Sequence, residues 1–133
     1  MIGLDTNVLV RYFTQDDPEQ SRRATKLIET HCTEENAGFV PMVVLCELTW
    51  VLDSGYGYKK SDIAKLLRGM LSSPALLLEN PDRVSRVVAF YEKGGAGFAD
   101  CLIACSCDDE AAVPVYTFDK AAVKTTGLFK MVP

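Results

Sequence analysis

The 133-residue chain has one histidine, one tryptophan and no CxxC pair among its five cysteines. The single histidine, His31, stands at a helix end, so no serine–histidine or cysteine–histidine nucleophile system can be assembled around it. His31 also closes an apolar helical face, where a core or helix-end imidazole is a plainer reading than a general base. Zinc would want thiolates paired from two segments together with histidine. Cys32, Cys46, Cys101, Cys105 and Cys107 therefore read as reduced thiols in a reducing compartment. The most apolar window, Phe39–Leu52, is shorter than a bilayer span and carries Glu47. No signal peptide is visible, and the expected setting is cytoplasmic with no membrane contact.

Basic surplus is missing as well. The net charge is −4, which on its face argues against nucleic-acid binding. That test is weak where acids gather around a cation. The basic residues do cluster, as Arg22, Arg23 and Lys26, as Lys59, Lys60, Lys65 and Arg68, and as Arg83 and Arg86. Such clusters are usually solvated helix faces and less often contacts to a nucleic-acid backbone. Nothing repeats and nothing is low in complexity. Gly94, Gly95 and Gly97 do not follow a strand, so they read as a turn rather than a phosphate cradle.

What is present is an ordinary globular composition, 48% hydrophobic and 24% charged, in a length that suits one domain over residues 1–133. Ile2–Leu4, Gly38–Val40, Ala75–Leu78, Pro114–Thr117 and Leu128–Val132 read as short strands. Between them lie helical patterns. Asp17-Pro18 caps one, with Ala24, Leu27, Ile28 and His31 at helical spacing. Pro41 opens another through about Leu52, and Ser61 can cap a third bearing Ile63, Leu66, Leu67, Met70 and Leu71. Asn80-Pro81 opens a fourth, Phe98–Cys107 is a fifth, and Thr6–Phe13 and Asp119–Lys124 are shorter. Short apolar strands alternating with helices predict a three-layer α/β/α fold on a central parallel sheet of four to five strands. Ligands in such sheets bind beyond the carboxyl ends of the strands.

Four acids stand inside or directly after apolar stretches: Asp5, Glu47, Asp100 and Asp119. A buried carboxylate costs several kcal/mol unless it is paired, and a bound cation is a common partner. Asp5 and Asp119 read equally well as helix N-caps. Glu47 has Val43, Val44, Trp50 and Val51 at helical offsets, and Asp100 has Ala96, Gly97, Ile103 and Ala104. For these two a functional role is the stronger reading, the alternative being an exposed strip on a buried helix. Asn7 and Thr117 are softer signals: Asn7 could bond near Asp5, and Thr117 could steer Asp119 or a metal-bound water.

Convergent carboxylates suit Mg²⁺ or Mn²⁺, which favour oxygen donors and leave room for water and substrate phosphates. One or two such ions would serve in-line hydrolysis of a phosphodiester, leaving a 5′-phosphate and a 3′-hydroxyl. On this reading Asp5 and Asp100 are direct ligands of the first ion. Glu47 and Asp119 then complete the pocket, orient water or hold a second ion.

The order and setting of these acids resemble those of PIN-domain ribonucleases, and among them the VapC-like toxins of toxin–antitoxin pairs. The resemblance is carried by Ile2-Gly3-Leu4-Asp5-Thr6-Asn7-Val8-Leu9, by Leu45-Cys46-Glu47-Leu48 with Val51-Leu52, by Gly97-Phe98-Ala99-Asp100 with Ile103-Ala104, and by Val115-Tyr116-Thr117-Phe118-Asp119-Lys120. It implies an acidic quartet at Asp5, Glu47, Asp100 and Asp119 with Thr117 as accessory. It further implies Mg²⁺ or Mn²⁺ as cofactor, RNA as substrate, a cognate antitoxin and a homodimer. Three other readings compete. A haloacid-dehalogenase-type phosphatase would want an acid where Asn7 stands. A phospho-accepting receiver would want an acid after a mid-chain strand. A metal-stabilised acidic pocket that only docks a basic peptide would need no hydrolysis. Dimer or antitoxin docking along Tyr56, Tyr58 and the Ile63–Leu71 helix is a further expectation.

Overall fold

The computed structural model describes every residue from Met1 to Pro133. In chain order the elements are β1 (Ile2–Gly3), α1 (Thr6–Thr14), α2 (Pro18–His31), β2 (Gly38–Val40), α3 (Met42–Ser54) and α4 (Lys60–Ser72). There follow β3 (Leu76–Leu78), α5 (Pro81–Lys93), α6 (Phe98–Asp109), β4 (Val115–Thr117), α7 (Lys120–Thr125) and β5 (Phe129–Met131). The chain forms two compact units, Met1–Pro81 and Asp82–Pro133. No helix is long and apolar enough to cross a membrane.

In the first unit β1, β2 and β3 form a parallel sheet in that order, with Ile2 opposite Gly38 and Gly38 opposite Leu76. Gly38 is required by close approach. A Cβ there would lie 2.8 Å from both the Cys32 sulfur and a Leu4 methyl. The helices close over the sheet through Leu9, Ile28, Leu45, Leu48, Leu52, Ile63 and Leu67, all buried. Each fully buried leucine contributes about 1.5–3 kcal/mol against exposure. Helix α2 begins as its sequence dictates: the Asp17 carboxylate accepts from the Gln20 N–H at 3.0 Å, and Pro18 takes the first helical position.

The end of α1 is pinned by Arg11. Its Nε donates to Gln20 Oε1 at 2.7 Å, and its Nη1 donates to Asp16 and to the Tyr56 hydroxyl, each at 3.2 Å. Tyr56 in turn donates to Asp16, and this bond is the main reason the Asp16 carboxyl lies below its ordinary range.

In the second unit β4 and β5 pair in parallel, with Val115 opposite Phe129 and Thr117 opposite Met131. Ala104, Ala122 and Phe129 form its small core, with Val115, Val123 and Leu128 packed around them. Arg83 and Arg86 fasten α5 to the end of α6. Arg83 Nε donates to Asp109, while Arg86 donates to Asp108 and Asp109, each bond being 2.6 Å. The Gly94–Gly97 segment turns the chain into α6 as expected. A Cβ on Gly94 would lie 2.3 Å from Thr125 Oγ1, so any larger residue there would force Thr125 to shift.

The five strands and their parallel pairing agree with the sequence, while the hydrogen bonds divide them into a sheet of three and a pair. Ser61 is not the cap of α4. The helix begins at Lys60, with Lys59 at the cap position and no side-chain cap bond. The turn closed by the Tyr58 N–H on Leu52 O feeds the chain straight into the helix, and burial of Ile63 and Ala64 fixes its phase. The expected docking face on α4 is core instead, since Ile63, Leu67 and Met70 are buried. Tyr56 and Tyr58 are half-buried and meet edge to face.

Candidate active site

In the first unit the β1 ladder reaches the residue before Asp5: the Leu4 N–H donates to Phe39 O at 2.9 Å. Asp5 therefore stands at the carboxyl end of β1, in extended backbone, as the N-cap of α1. Its Oδ1 accepts the Thr6 N–H at 2.7 Å. The Thr6 hydroxyl donates to Glu47 Oε1 at 2.8 Å, across 41 positions of sequence. One threonine thus touches both carboxylates. The other oxygen of each, Oδ2 of Asp5 and Oε2 of Glu47, accepts no hydrogen bond from the protein.

The second unit arranges its acids by helix starts. Asp119 is the N-cap of α7, and its Oδ1 accepts the Ala121 N–H at 2.8 Å. The Asp119 N–H donates to Thr117 Oγ1 at 3.0 Å, so Thr117 fixes the backbone that carries the acid. Asp100 lies in the first turn of α6, where the free N–H groups and the helix dipole favour an anion. Its Oδ2 folds back to 3.9 Å from where a Gly97 Cβ would stand.

Burial of the acids does not match the expectation from sequence. Asp5, Glu47 and Asp119 are exposed and Asp100 is half-buried. The apolar neighbours that made Glu47 look buried are partly on the surface, with Val43 65% and Trp50 68% exposed. Ile103, beside Asp100, is 48% exposed. Helix α3 is apolar nearly all round, and in such a helix an apolar neighbourhood does not identify the core side. Asn7 does not bond Asp5; it lines a cleft between α1 and α2.

That cleft has a volume of about 700 Å³ and is lined by Asn7, Val8, Arg11, Gln20, Arg23, Ala24 and Leu27. Two cations and no anion face it. Arg11 is balanced by Asp16, whereas Arg23 has no carboxylate partner. His31 is an exposed last-turn residue of α2, and all five cysteines are free thiols. Burial pushes the Cys32, Cys46 and Cys105 thiols up, away from reactivity.

Thr6 escaped the sequence reading, which treated it only as a helix start. A hydroxyl directly after Asp5 was the available signal, but only the fold brings Glu47 to it. No group of three or more histidine, cysteine, aspartate or glutamate side chains closes around a common point. The donors on offer are carboxylate oxygens with one oxygen left open. They fit a hard cation such as Mg²⁺, which usually takes one or two carboxylates and completes its shell with water and substrate phosphate.

Residues 2–128 match the PIN domain family. The VapC ribonuclease of Aquifex aeolicus is 26% identical over 99 residues, covering 74% of this chain and 73% of that protein.

Proposed function

Because the chain belongs to the PIN-domain family and is VapC-like, we propose that it is a metal-dependent endoribonuclease and the toxin of a toxin–antitoxin pair. That family has the three-layer α/β/α fold, and its match runs through both compact units, which supports one functional domain over residues 1–133. The observation that carries the reading is the Asp5–Thr6–Glu47 arrangement. Two carboxylates are held through one residue at a strand's carboxyl end, each with an oxygen open to a ligand.

Asp5, Glu47, Asp100 and Asp119 are the proposed acids, carried over position by position from the family motif, and Thr117 is the accessory residue. Asp5 and Asp100 would bind Mg²⁺ or Mn²⁺ directly. Glu47 and Asp119 would complete the ligand set or hold a proton-accepting position toward the attacking water. When bound, the ion would supply charge neutralisation at the phosphate and a more acidic water. Capping fixes the Asp5 and Asp119 carboxylates, so little reorganisation is needed when substrate arrives. Thr117 keeps the Asp119 backbone in register through its bond to the Asp119 N–H.

The substrate is RNA, cleaved by water to a 5′-phosphate and a 3′-hydroxyl. Arg23 would supply a phosphate contact from the α1–α2 cleft. The remaining proposed partners are a cognate antitoxin, whose basic segment would meet the acids, and a second copy of the chain. A cytoplasmic setting suits the five free thiols.

The test is cleavage of total cellular RNA by the wild-type chain and by Asp100→Asn and Glu47→Gln. Loss of cleavage in both variants, with circular dichroism unchanged, is expected. Wild-type rates in either variant would remove that residue from the site.

A further inference from the structure

We infer that Thr6 is a positioning residue for the reaction proposed above: its hydroxyl sets the Glu47 carboxylate beside Asp5 before any metal arrives. The inference rests on the ribonuclease reading and goes beyond the acids that carry it.

Glu47 stands exposed on α3 between Val43 and Trp50, and no cation pairs with it. Left alone, a glutamate in that setting would wander among its rotamers. Its hydrogen-bond partner is the Thr6 hydroxyl, at 2.8 Å. Thr6 is well suited to hold it. It occupies the first helical position of α1, its own N–H donates to Asp5 Oδ1 at 2.7 Å, and the Asp5 carbonyl accepts the Val8 and Leu9 N–H groups of the first turn. The branched side chain restricts the χ1 angle, so the hydroxyl has few directions to point. A threonine hydroxyl has one proton to give, and here it goes to Glu47 rather than to the local backbone.

The consequence is a two-acid unit assembled on one threonine. Asp5 is bound by the Thr6 backbone, Glu47 by its side chain, and each keeps one oxygen open. Groups that orient a ligand without touching the metal typically govern metal affinity and activity by about ten- to a hundred-fold.

The test is Mn²⁺ binding to the metal-free protein, read by electron paramagnetic resonance, together with RNA cleavage kinetics and thermal unfolding. Thr6→Val keeps the shape and removes the hydroxyl, and Thr6→Ser keeps the hydroxyl. The expected result is Mn²⁺ affinity about ten- to a hundred-fold weaker in Thr6→Val, near wild type in Thr6→Ser, with kcat falling and KM little changed. In a Glu47→Ala background, adding Thr6→Val should change Mn²⁺ affinity no further. Thr6→Ala serves the same comparison where valine disturbs the helix start.

Wild-type Mn²⁺ affinity and cleavage in Thr6→Val would overturn the inference while leaving the ribonuclease reading intact. So would a serine variant as impaired as the valine one, or an equal loss in the absence of Glu47. Absence of Mn²⁺ binding by the unsubstituted chain would overturn the metal-dependent reading and this inference with it.

Discussion

Asp119 carries two duties that substitution should separate. As the N-cap of α7 it accepts the Ala121 N–H at 2.8 Å, and α7 is only six residues long. A helix so short depends on its cap and on packing of Ala122, which is buried. Asparagine caps about as well as aspartate, whereas alanine typically costs about 1 kcal/mol. Asp119→Asn should therefore unfold within about 0.5 kcal/mol of wild type, the neutral amide losing only part of the helix-dipole interaction. Asp119→Ala should lose about 1 kcal/mol, a fall in Tm of roughly 3–5 °C at this size. RNA cleavage should be lost in both, because neither side chain offers a charged oxygen. Urea unfolding and a gel-based cleavage assay on the same preparations decide the matter. Full cleavage by Asp119→Asn would reduce Asp119 to a cap. Equal destabilisation of the two variants would refute the capping argument.

Three further outcomes are expected. Gly94→Ala should destabilise by about 1–3 kcal/mol, because the new methyl meets Thr125 Oγ1 at 2.3 Å, and Thr125 already accepts from the Ala96 N–H and donates to Ala121 O; urea midpoints measure it. Hydrogen bonds from Arg83, then Arg86, hold the Asp109 carboxyl below its ordinary value. A depressed folded-state pKa contributes stability above the unfolded value and loses it as pH falls through the folded one, so urea midpoints of wild type and Asp109→Asn should converge below about pH 4. Arg23→Glu should weaken binding of RNA to a cleavage-dead variant and lower the salt slope of log K by about 1, since Arg23 faces the α1–α2 cleft without a carboxylate partner.

Much of the fold was legible because its punctuation is local. Asp17-Pro18, Pro41, Asn80-Pro81 and the Gly94–Gly97 turn each act on their own backbone, and the elements begin within a residue or two of where those signals stand. Ser61 misled because a capping preference of about 1 kcal/mol yields to the path of the chain and the burial of Ile63 and Ala64. Burial is not what sets the four acids apart: Asp5, Glu47 and Asp119 are exposed, Asp100 is only half-buried, and the apolar company of Glu47 is partly a surface. Their order and flanking motifs carried the family resemblance, and the family match supports that resemblance against the phosphatase and receiver alternatives. Asp5 and Asp119 are indeed caps, and capping is compatible with a catalytic role because it engages only one carboxylate oxygen. Thr6 lay beyond reach, since its partner is 41 residues away and no periodicity reports a contact of that range.

The most direct test is to incubate total cellular RNA with the purified protein in Mg²⁺ or Mn²⁺, with and without EDTA, and map the new ends. Discrete cuts are expected that vanish on chelation, return with added metal, and carry a 5′-phosphate and a 3′-hydroxyl. Cuts that persist in EDTA, or no cuts despite measured metal binding, would contradict the metal-dependent ribonuclease reading.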